Sequence, residues 1–236
     1  MIEFKRVSVV YSNGVRALTD VSFRLEKDEF AFLVGPTGHG KSTVLKLIYR
    51  EEVPSSGEVI VAGRDISSLP PSRIPHLRRK IGIVFQDFRL LPNRTVWENV
   101  AFALYVTGAS KRLVHRRVPE AVARVGLLPK VTCFPAELSA GEQQRTCIAR
   151  AIVNQPPILL ADEPTGNLDP ETSRGIVQLL AEINRGGTTV LVASHDREIV
   201  DWMQKRVITL CAGRVVSDRE ESLYQYEPSQ PGVPAA

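Results

Sequence analysis

The sequence predicts an α/β fold with a mixed, mainly parallel sheet at its core, a small antiparallel β subdomain at the N-terminus and an inserted helical subdomain. Three observations carry this prediction. Apolar residues alternate with polar ones from Ile2 to about Leu25, around an Asn13-Gly14 turn signal. Short β-rich runs then alternate with helical stretches in the second half of the chain, as they do around a parallel sheet. Residues from Thr95 to about Val125 have helical spacing, which indicates the insert.

The individual elements follow from local patterns. Phe30 to Val34 is a short apolar run that predicts a buried strand, and the apolar residues of Ser42 to Tyr49 predict a buried helix. Further strands are predicted at Glu58 to Ala62, Ile81 to Phe85, Ile158 to Ala161, Thr189 to Ala193 and Val207 to Leu210. Within the helical insert, Gly108 marks a break and Pro119 is a second candidate break.

Polar caps predict where three later helices begin. Ser139 and Glu142 have the spacing of a capping box, which satisfies backbone donors at a helix start, so a helix should run from here to about Val153. Asp169-Pro170 is typical of the start of the next helix, and another helix should follow Asp196.

One domain of residues 1–217 is expected, with the helical subdomain at about 87–156 inserted in its core. After Ser217 the sequence is polar, proline-rich and without periodicity. Such a composition does not supply enough apolar surface for a packed core. We therefore predict a mobile C-terminal tail at 218–236.

Composition is typical of a globular protein. The 236 residues are 43% hydrophobic and 24% charged, close to average values. The three cysteines are an odd number without metal-ligand spacing, so we expect packing residues rather than a disulfide framework or a zinc site. No stretch approaches the roughly 20 apolar residues that cross a bilayer. The first residues alternate as in a strand, unlike a signal peptide, so a cytoplasmic chain is expected.

Charge is nearly balanced, at +4, but residues 78–80 and 111–117 contain local basic runs. Such runs are typical of a solvated helix face, and attraction to an anionic membrane surface or an acidic partner is the alternative. Aromatic residues make up only 6% of the chain and no nucleic-acid-binding module is recognisable, so no nucleic-acid partner is expected.

A glycine-rich loop lies between the first predicted buried strand and the helix after it. Its residues are Gly35, Pro36, Thr37, Gly38, His39, Gly40, Lys41 and Ser42. They match G-x-x-x-x-G-K-[ST] in the strand-loop-helix context that this motif requires. The glycines let backbone amides point at phosphate oxygens, and the helix N-terminus adds partial positive charge. Lys41 is expected to reach the terminal phosphates and Ser42 to ligate Mg²⁺; a purely structural glycine loop is the alternative.

Polar residues follow three further predicted strands. Asp162 and Glu163 follow Ile158 to Ala161, and the carboxyl ends of parallel strands point into a ligand crevice. Asp162 should orient Mg²⁺, and Glu163 is placed to accept a proton from a water that attacks the γ-phosphate. His195 also follows a predicted strand, where it could approach the same γ-phosphate and orient the water. Gln86 follows the Ile81 to Phe85 strand, where it could link the metal to the helical insert. Alone, two such acids are more typical of a helix cap or a solvated edge.

These motifs, together with residues 138–144 (Leu-Ser-Ala-Gly-Glu-Gln-Gln), resemble the ABC ATPase family from Ile2 to about Ser217. The resemblance implies a P-loop ABC ATPase fold, ATP and Mg²⁺ as ligands, and ATP hydrolysis. The implied catalytic residues are Glu163 and His195, and the implied metal-binding residues are Ser42, Gln86 and Asp162. The implied nucleotide-binding residues are Tyr11 (stacked on adenine), Gly35, Pro36, Thr37, Gly38, His39, Gly40, Lys41, Ser42, Thr43, Gln86, Asp169 and, in the signature motif, Ser139, Ala140, Gly141 and Glu142.

The resemblance further implies that the signature motif serves the nucleotide of a second copy, so that ATP favours a closed homodimer and hydrolysis releases it. Two positions depart from the family pattern. Ala140 stands where glycine is usual, which demands negative φ and adds a methyl group near the phosphates. His39 stands where a small residue is commoner, and we expect no role for it beyond solvent exposure.

Within the family, residues 86–104 resemble the FtsE-type ATPases of bacterial cell division. That resemblance implies an FtsX-like integral membrane partner, a peripheral place on the cytoplasmic side of the inner membrane at the division septum, and control of septal peptidoglycan hydrolases. ATPases of lipoprotein-release or macrolide-export transporters have similar signatures and are the alternative. A further alternative is a nucleotide-gated scaffold that binds ATP but scarcely hydrolyses it. The presence of Glu163 and His195 argues against this alternative. A soluble repair or translation ABC protein would need tandem domains or a long coiled coil.

Overall fold

The computed structural model describes residues 1–220, which form two β-sheets and a set of helices around them. The strands are β1 (Ile2–Val10), β2 (Arg16–Leu25), β3 (Phe30–Val34), β4 (Ser56–Val61), β5 (Arg64–Asp65), β6 (Ile81–Val84), β7 (Ile158–Asp162), β8 (Thr189–Ser194), β9 (Arg206–Cys211) and β10 (Arg214–Arg219). The helices are α1 (Lys41–Ile48), α2 (Ile74–Arg78), α3 (Val96–Tyr105), α4 (Lys111–Arg124), α5 (Ala140–Ile152), α6 (Pro170–Arg185) and α7 (Arg197–Met203).

The two sheets are of the predicted kinds, one antiparallel and one mainly parallel. The first is antiparallel, in the order β2-β1-β4-β5. The second has the order β10-β9-β3-β8-β7-β6, in which β9, β3, β8, β7 and β6 are parallel and β10 is an antiparallel edge. The mixed α/β fold class is therefore confirmed. The short strand β5 and the edge strand β10 were not predicted.

The central sheet is buried on both faces. Along β3, Phe30, Phe32 and Val34 belong to a core shared with the helical subdomain, while Ala31 and Leu33 belong to a core shared with the antiparallel sheet and α1. All five residues are buried. This double burial explains why parallel strands appear in the sequence as continuous apolar runs rather than alternating ones.

The helical insert breaks at only one of the two candidate positions. Gly108, with φ of 79°, lies between α3 and α4, as predicted. Pro119, in contrast, lies inside α4 and does not end it. Pro119 faces solvent, while Val114 and Val118 on the opposite face are fully buried. Packing of that apolar face compensates for the backbone hydrogen bond that proline cannot donate.

The predicted helix caps are confirmed. Ser139 Oγ accepts the Glu142 N–H and the Glu142 carboxylate accepts the Ser139 N–H, which is a complete capping box at the start of α5. Asp169 and Asp196 cap α6 and α7 through the N–H groups of Thr172 and Ile199.

The expected domain boundary at 217 falls inside β10, which continues to Arg219. Arg206 fixes this end, since its guanidinium donates to Asp218 at 2.8 Å and to Glu29 at 2.7 Å. An acidic residue in a polar stretch gives no local sign of this long-range pairing. The rest of the predicted tail, 221–236, lies outside the described residues. Within residues 1–220, no helix has the length and apolar character needed to cross a membrane.

All three cysteines are free thiols. Cys147 is buried in the core, and Cys133 and Cys211 are half-buried. The packing role that we expected fits Cys147 best, because it is 1% exposed.

Candidate functional site

The predicted site residues gather at the carboxyl edge of the parallel sheet. Gly35 follows β3, Glu163 follows β7, His195 follows β8, and Gln86 lies two residues after β6. Because β3, β8, β7 and β6 are neighbours in this order, their carboxyl ends form one continuous edge. Ligands of open α/β sheets bind at this edge.

Glycine is required at two positions of the glycine-rich loop. Gly35 has φ of 147°, and a Cβ there would lie 2.2 Å from the carbonyl oxygen of Leu210. Gly40 has φ of 100°, and its Cβ would lie 2.6 Å from Leu18 Cδ2. Neither position has room for a side chain. The backbone of the loop therefore packs tightly against β2 and β9, and this packing fixes the direction in which the chain enters α1.

Lys41 lies in this cradle and is only 5% exposed. Its ammonium donates to the carbonyl oxygens of Gly35 at 2.8 Å and Pro36 at 3.2 Å, and its Nζ is 3.4 Å from Glu163 Oε1. A cation this buried has strong interactions with any nearby anion, because little water screens it. Lys41 thus directly connects the loop after β3 with the acid after β7.

Ser42 and Asp162 supply a pair of hard oxygen donors. Ser42 Oγ donates to Asp162 Oδ1 at 3.2 Å. Burial raises the pKa of Asp162, and the Ser42 hydrogen bond partly opposes that rise. Among residues 1–220 no cluster of three or more His, Cys, Asp and Glu side chains forms a metal cage. One hydroxyl and one carboxylate still suit Mg²⁺, which keeps several waters and binds through few protein ligands plus phosphate oxygens.

Glu163 is held in a strained and well-defined position. Its φ is 47°, in the left-handed region that glutamate rarely occupies, and its N–H donates to the Ala193 carbonyl at 3.0 Å. Its Oε2 accepts the His195 backbone N–H at 3.2 Å and lies 2.8 Å from His195 Nδ1. Strain that the surrounding structure maintains is typical of functional sites. Glu163 is therefore fixed between Lys41 and His195.

Tyr11 and Gln86 lie beside this cluster. The Tyr11 hydroxyl is 3.1 Å from Thr43 Oγ1, so this half-buried side chain is linked to α1. Gln86 is exposed, and its Nε2 is 3.3 Å from where a Cβ of Gly166 would lie. Gly166 is in the loop after β7, so the structure brings the segments after β6 and β7 together. Nothing in the sequence around Gly166 indicated this proximity.

The signature residues lie apart from this cluster, at the start of α5. Ser139 and Ala140 are exposed, and Ala140 is the first helical residue, where negative φ is normal. The methyl group at position 140 is thus compatible with the helix. A Cβ on Gly141 would lie 2.4 Å from Thr172 Cγ2, so the starts of α5 and α6 are in contact.

The caps of these two helices carry acids that stay charged. The Ser139 backbone N–H holds the pKa of Glu142 below its usual value. Hydrogen bonds from Thr172 do the same for the pKa of Asp169 at the start of α6. Carboxylates at helix N-termini are favoured by the helix dipole as well. Both capping carboxylates are therefore charged and able to accept these hydrogen bonds at neutral pH.

His39 is a correction to the sequence analysis. It is half-buried rather than merely solvent-exposed, and its Nδ1 accepts the backbone N–H of Ala212 at 3.2 Å. Ala212 has φ of 45° in the two-residue turn between β9 and β10. His39 thus ties the glycine-rich loop to this hairpin. The two residues are 173 positions apart, so no local pattern could predict the contact.

Comparison with known proteins decides the family. A family model described as ABC transporter matches residues 18–166. The chain belongs to the ABC transporter ATPase family. It is 50% identical to the cell division ATP-binding protein FtsE of Bacillus subtilis, over 95% of this chain and 98% of that protein. The proteins of the same name from Mycobacterium tuberculosis and Escherichia coli are 52% and 50% identical, over 95% and 91% of this chain and 98% and 97% of theirs.

Solved structures of ABC cassettes have the same fold. A dimeric ATP-binding cassette in a post-hydrolysis state, bound to ADP and phosphate, has a TM-score of 0.85 and 36% identity, over 95% of this chain and all of that one. An ABC transporter subunit from Clostridium perfringens has a TM-score of 0.87 and 30% identity, over 93% and 88% of the two chains. This chain is thus an ABC ATPase with an ATP-binding cassette fold.

Tight packing at the start of α5 gives a prediction for this ABC ATPase. Gly141→Ala is expected to destabilise the fold by about 1–3 kcal/mol, because the added methyl group overlaps Thr172. Ala140→Gly is the control, and a loss of at most about 0.5–1 kcal/mol is expected for it, because Ala140 is exposed and only the lower helix propensity of glycine acts there. Urea unfolding midpoints of both variants measure the difference. Equal midpoints would show that the starts of α5 and α6 are not packed as described.

Proposed function

We propose that this chain is the ATP-hydrolysing subunit of an FtsE-type cell-division complex in the bacterial inner membrane, with an FtsX-like integral membrane protein as its partner. The observation that carries the proposal is the position of Glu163, held between the buried Lys41 and His195 at the carboxyl edge of the sheet. Three relatives about 50% identical over nearly their full lengths, named cell division ATP-binding protein, support the cell-division assignment.

The residues at the sheet edge divide the chemistry among them. Lys41 and the amides of the glycine-rich loop bind the phosphates of ATP. Ser42 and Asp162 would hold Mg²⁺, which would neutralise phosphate charge, and Gln86 would contact it from the segment after β6. Glu163 takes a proton from the attacking water, and His195 keeps the Glu163 carboxylate in place.

The remaining site residues bind nucleotide in two locations. Tyr11 stacks on adenine next to its own glycine-rich loop, where its hydroxyl contact with Thr43 orients the ring. Ser139, Ala140, Gly141 and Glu142 at the start of α5, with Asp169 at the start of α6, bind the nucleotide of a second copy. At the start of α5 the capping box uses the N–H groups of Ser139 and Glu142, which leaves those of Ala140 and Gly141 to donate to phosphate oxygens.

Dimer closure is the mechanical output of this cycle. The γ-phosphate bridges two copies, so ATP favours the closed dimer and phosphate release opens it. Through the FtsX-like partner, this movement regulates peptidoglycan hydrolases outside the cell at the septum. The chain itself stays peripheral, on the cytoplasmic side of the inner membrane. The dimeric state of a solved cassette 36% identical to this chain supports the dimer.

The partner contact is assigned to a groove of about 650 Å³ on the helical subdomain. Leu91, Trp97, Phe102 and Tyr105 are among its lining residues, and Phe102 is 48% exposed. A large apolar side chain that is exposed in a groove is typical of a protein interface. We expect Phe102→Glu to abolish co-purification with the membrane partner while ATP binding is retained.

Affinity purification of the tagged chain from detergent-solubilised membranes, with mass spectrometry of the bound membrane subunit, tests this proposal. Val216→Glu, on the exposed face of β10, is the control and should purify with the partner as the unmodified protein does. Recovery of an FtsX-like protein supports the proposal. Recovery of a lipoprotein-release or macrolide-export permease would overturn the cell-division assignment and leave the ATPase assignment intact.

A further inference from the structure

The segment after Gln86 has an unusual backbone. The Arg89 N–H donates to the Asp87 carbonyl at 2.6 Å, which closes a three-residue turn around Phe88. Phe88 has φ of 57° and Arg89 has φ of 48°. Two consecutive left-handed residues that are not glycine are strained, and a three-residue turn with positive φ at its centre is rare. Other parts of the molecule must therefore hold this turn in place.

Helix α5 supplies the groups that hold it. The Cys147 thiol donates to the Phe88 carbonyl at 2.9 Å. The Arg150 guanidinium donates to the same carbonyl at 2.7 Å through Nη2, and to the Arg89 carbonyl through Nη1. A planar guanidinium is suited to such a two-pronged contact, and lysine cannot reproduce it. Three hydrogen bonds from one face of α5 thus fix two consecutive carbonyl groups.

The thiol keeps its proton under physiological conditions. Burial raises the pKa of Cys147 to about 12, so the side chain remains a hydrogen-bond donor rather than a thiolate. Cys147 and Arg150 are three residues apart and so lie on the same side of the helix. Among residues 1–220, no hydrogen bond or ion pair joins either residue to Lys41, Glu163 or His195. Neither residue was singled out for the site from its position in the sequence.

We propose that Cys147 and Arg150 are positioning residues that set the place of Gln86 by holding the strained turn 87–89. The proposal rests on the role of Gln86 in the function proposed above. In this proposal helix α5, which has 13 residues, has two roles. Its N-terminus carries the signature motif, and residues in its second half donate hydrogen bonds to the turn. A shift of the α5 N-terminus toward the nucleotide of a second copy would move Gln86 in its own site.

A double-mutant cycle between positions 86 and 150 tests the proposal. Arg150→Lys keeps the charge but loses the two-pronged contact, and should lower kcat by roughly 10- to 100-fold with the KM for ATP changed less than about twofold. The double variant Gln86→Ala with Arg150→Lys should be no slower than Gln86→Ala alone, because both changes disable the same group. The Mg²⁺ concentration for half-maximal rate should rise equally in all three variants.

Arg78→Lys is the matched control. Arg78 donates to the consecutive carbonyls of Tyr49 and Arg50, and Arg50 also has positive φ, at 60°. This substitution removes the same kind of contact after α1 and should leave kcat within about twofold. A comparable loss of kcat in the control would mean that general damage, rather than Gln86, explains the Arg150→Lys result, and would overturn the proposal.

The outcomes separate this proposal from the one on which it rests. Two outcomes would overturn the positioning role alone. In the first, the rate losses of the two single variants multiply in the double variant. In the second, Arg150→Lys has an unchanged kcat while Gln86→Ala is slow. An unchanged kcat for Gln86→Ala would remove the assigned role of Gln86 itself. If Arg150→Lys does not fold, Cys147→Ala should slow hydrolysis and Cys147→Ser, which keeps a donor, should restore it. Equal rates for those two variants would contradict the proposal.

Discussion

Glu163→Gln is expected to lower kcat for ATP hydrolysis by about 10²- to 10⁴-fold, the usual contribution of a positioned general base. The amide has the same shape as the carboxylate, and its oxygen can still accept the His195 backbone N–H. It cannot take a proton from water. Ground-state contacts to ATP are spared, so the dissociation constant for ATP should stay the same or fall.

Single-turnover hydrolysis under dimer-forming protein concentrations measures this loss. Glu182→Gln is the control, because Glu182 is exposed and pairs only loosely with Arg185 at the end of α6. That variant should hydrolyse ATP at the rate of the unmodified protein. A rate for Glu163→Gln within threefold of that value would show that another group serves as the base. A nucleotide-gated scaffold would show no phosphate release even in the unmodified protein.

Lys41→Ala is expected to weaken ATP binding by on the order of 10- to 100-fold, because a hydrogen bond to a charged group contributes about 1.5–3 kcal/mol. Two further effects act in the same direction. The side chain is 5% exposed, so little water replaces the lost charge. Glu163, whose side chain is 11% exposed, loses its cationic neighbour and is left to repel the incoming phosphates.

Isothermal titration of ATP measures this change. Lys27→Ala is the control, because Lys27 lies before β3, away from the carboxyl edge of the sheet, and its side chain is exposed beside Asp28. Its ATP affinity should remain within about twofold of the unmodified protein. An unchanged affinity for Lys41→Ala would contradict the assignment of the glycine-rich loop as the phosphate site.

Local patterns were sufficient for most of the fold. Alternation predicted β1 and β2, continuous apolar runs predicted the parallel strands, and the Ser139 to Glu142 spacing predicted the start of α5. Each of these signals depends on residues within a few positions of one another. Asp162 and Glu163, at the end of β7, were predicted to face a ligand crevice because the order of the elements indicates a parallel sheet.

The features that escaped prediction depend on partners far apart in the chain. The His39 contact with Ala212 and the Arg150 contact with Phe88 join segments 173 and 62 residues apart. Arg206 links strand β10 to Glu29 through hydrogen bonds to Asp218 and Glu29, which no local pattern indicates. Pro119 is the opposite case. Proline is a strong local signal for a helix break, but packing of the buried face of α4 keeps this helix continuous.

Sedimentation velocity of Glu163→Gln tests the central claim most directly. With ATP and Mg²⁺ the variant should sediment as a dimer, and with ADP or without nucleotide as a monomer. Such a shift would mean that the terminal phosphate joins two copies through the glycine-rich loop of one and the α5 N-terminus of the other. A single monomeric species at saturating ATP and Mg²⁺, with the membrane partner present or absent, would contradict the account.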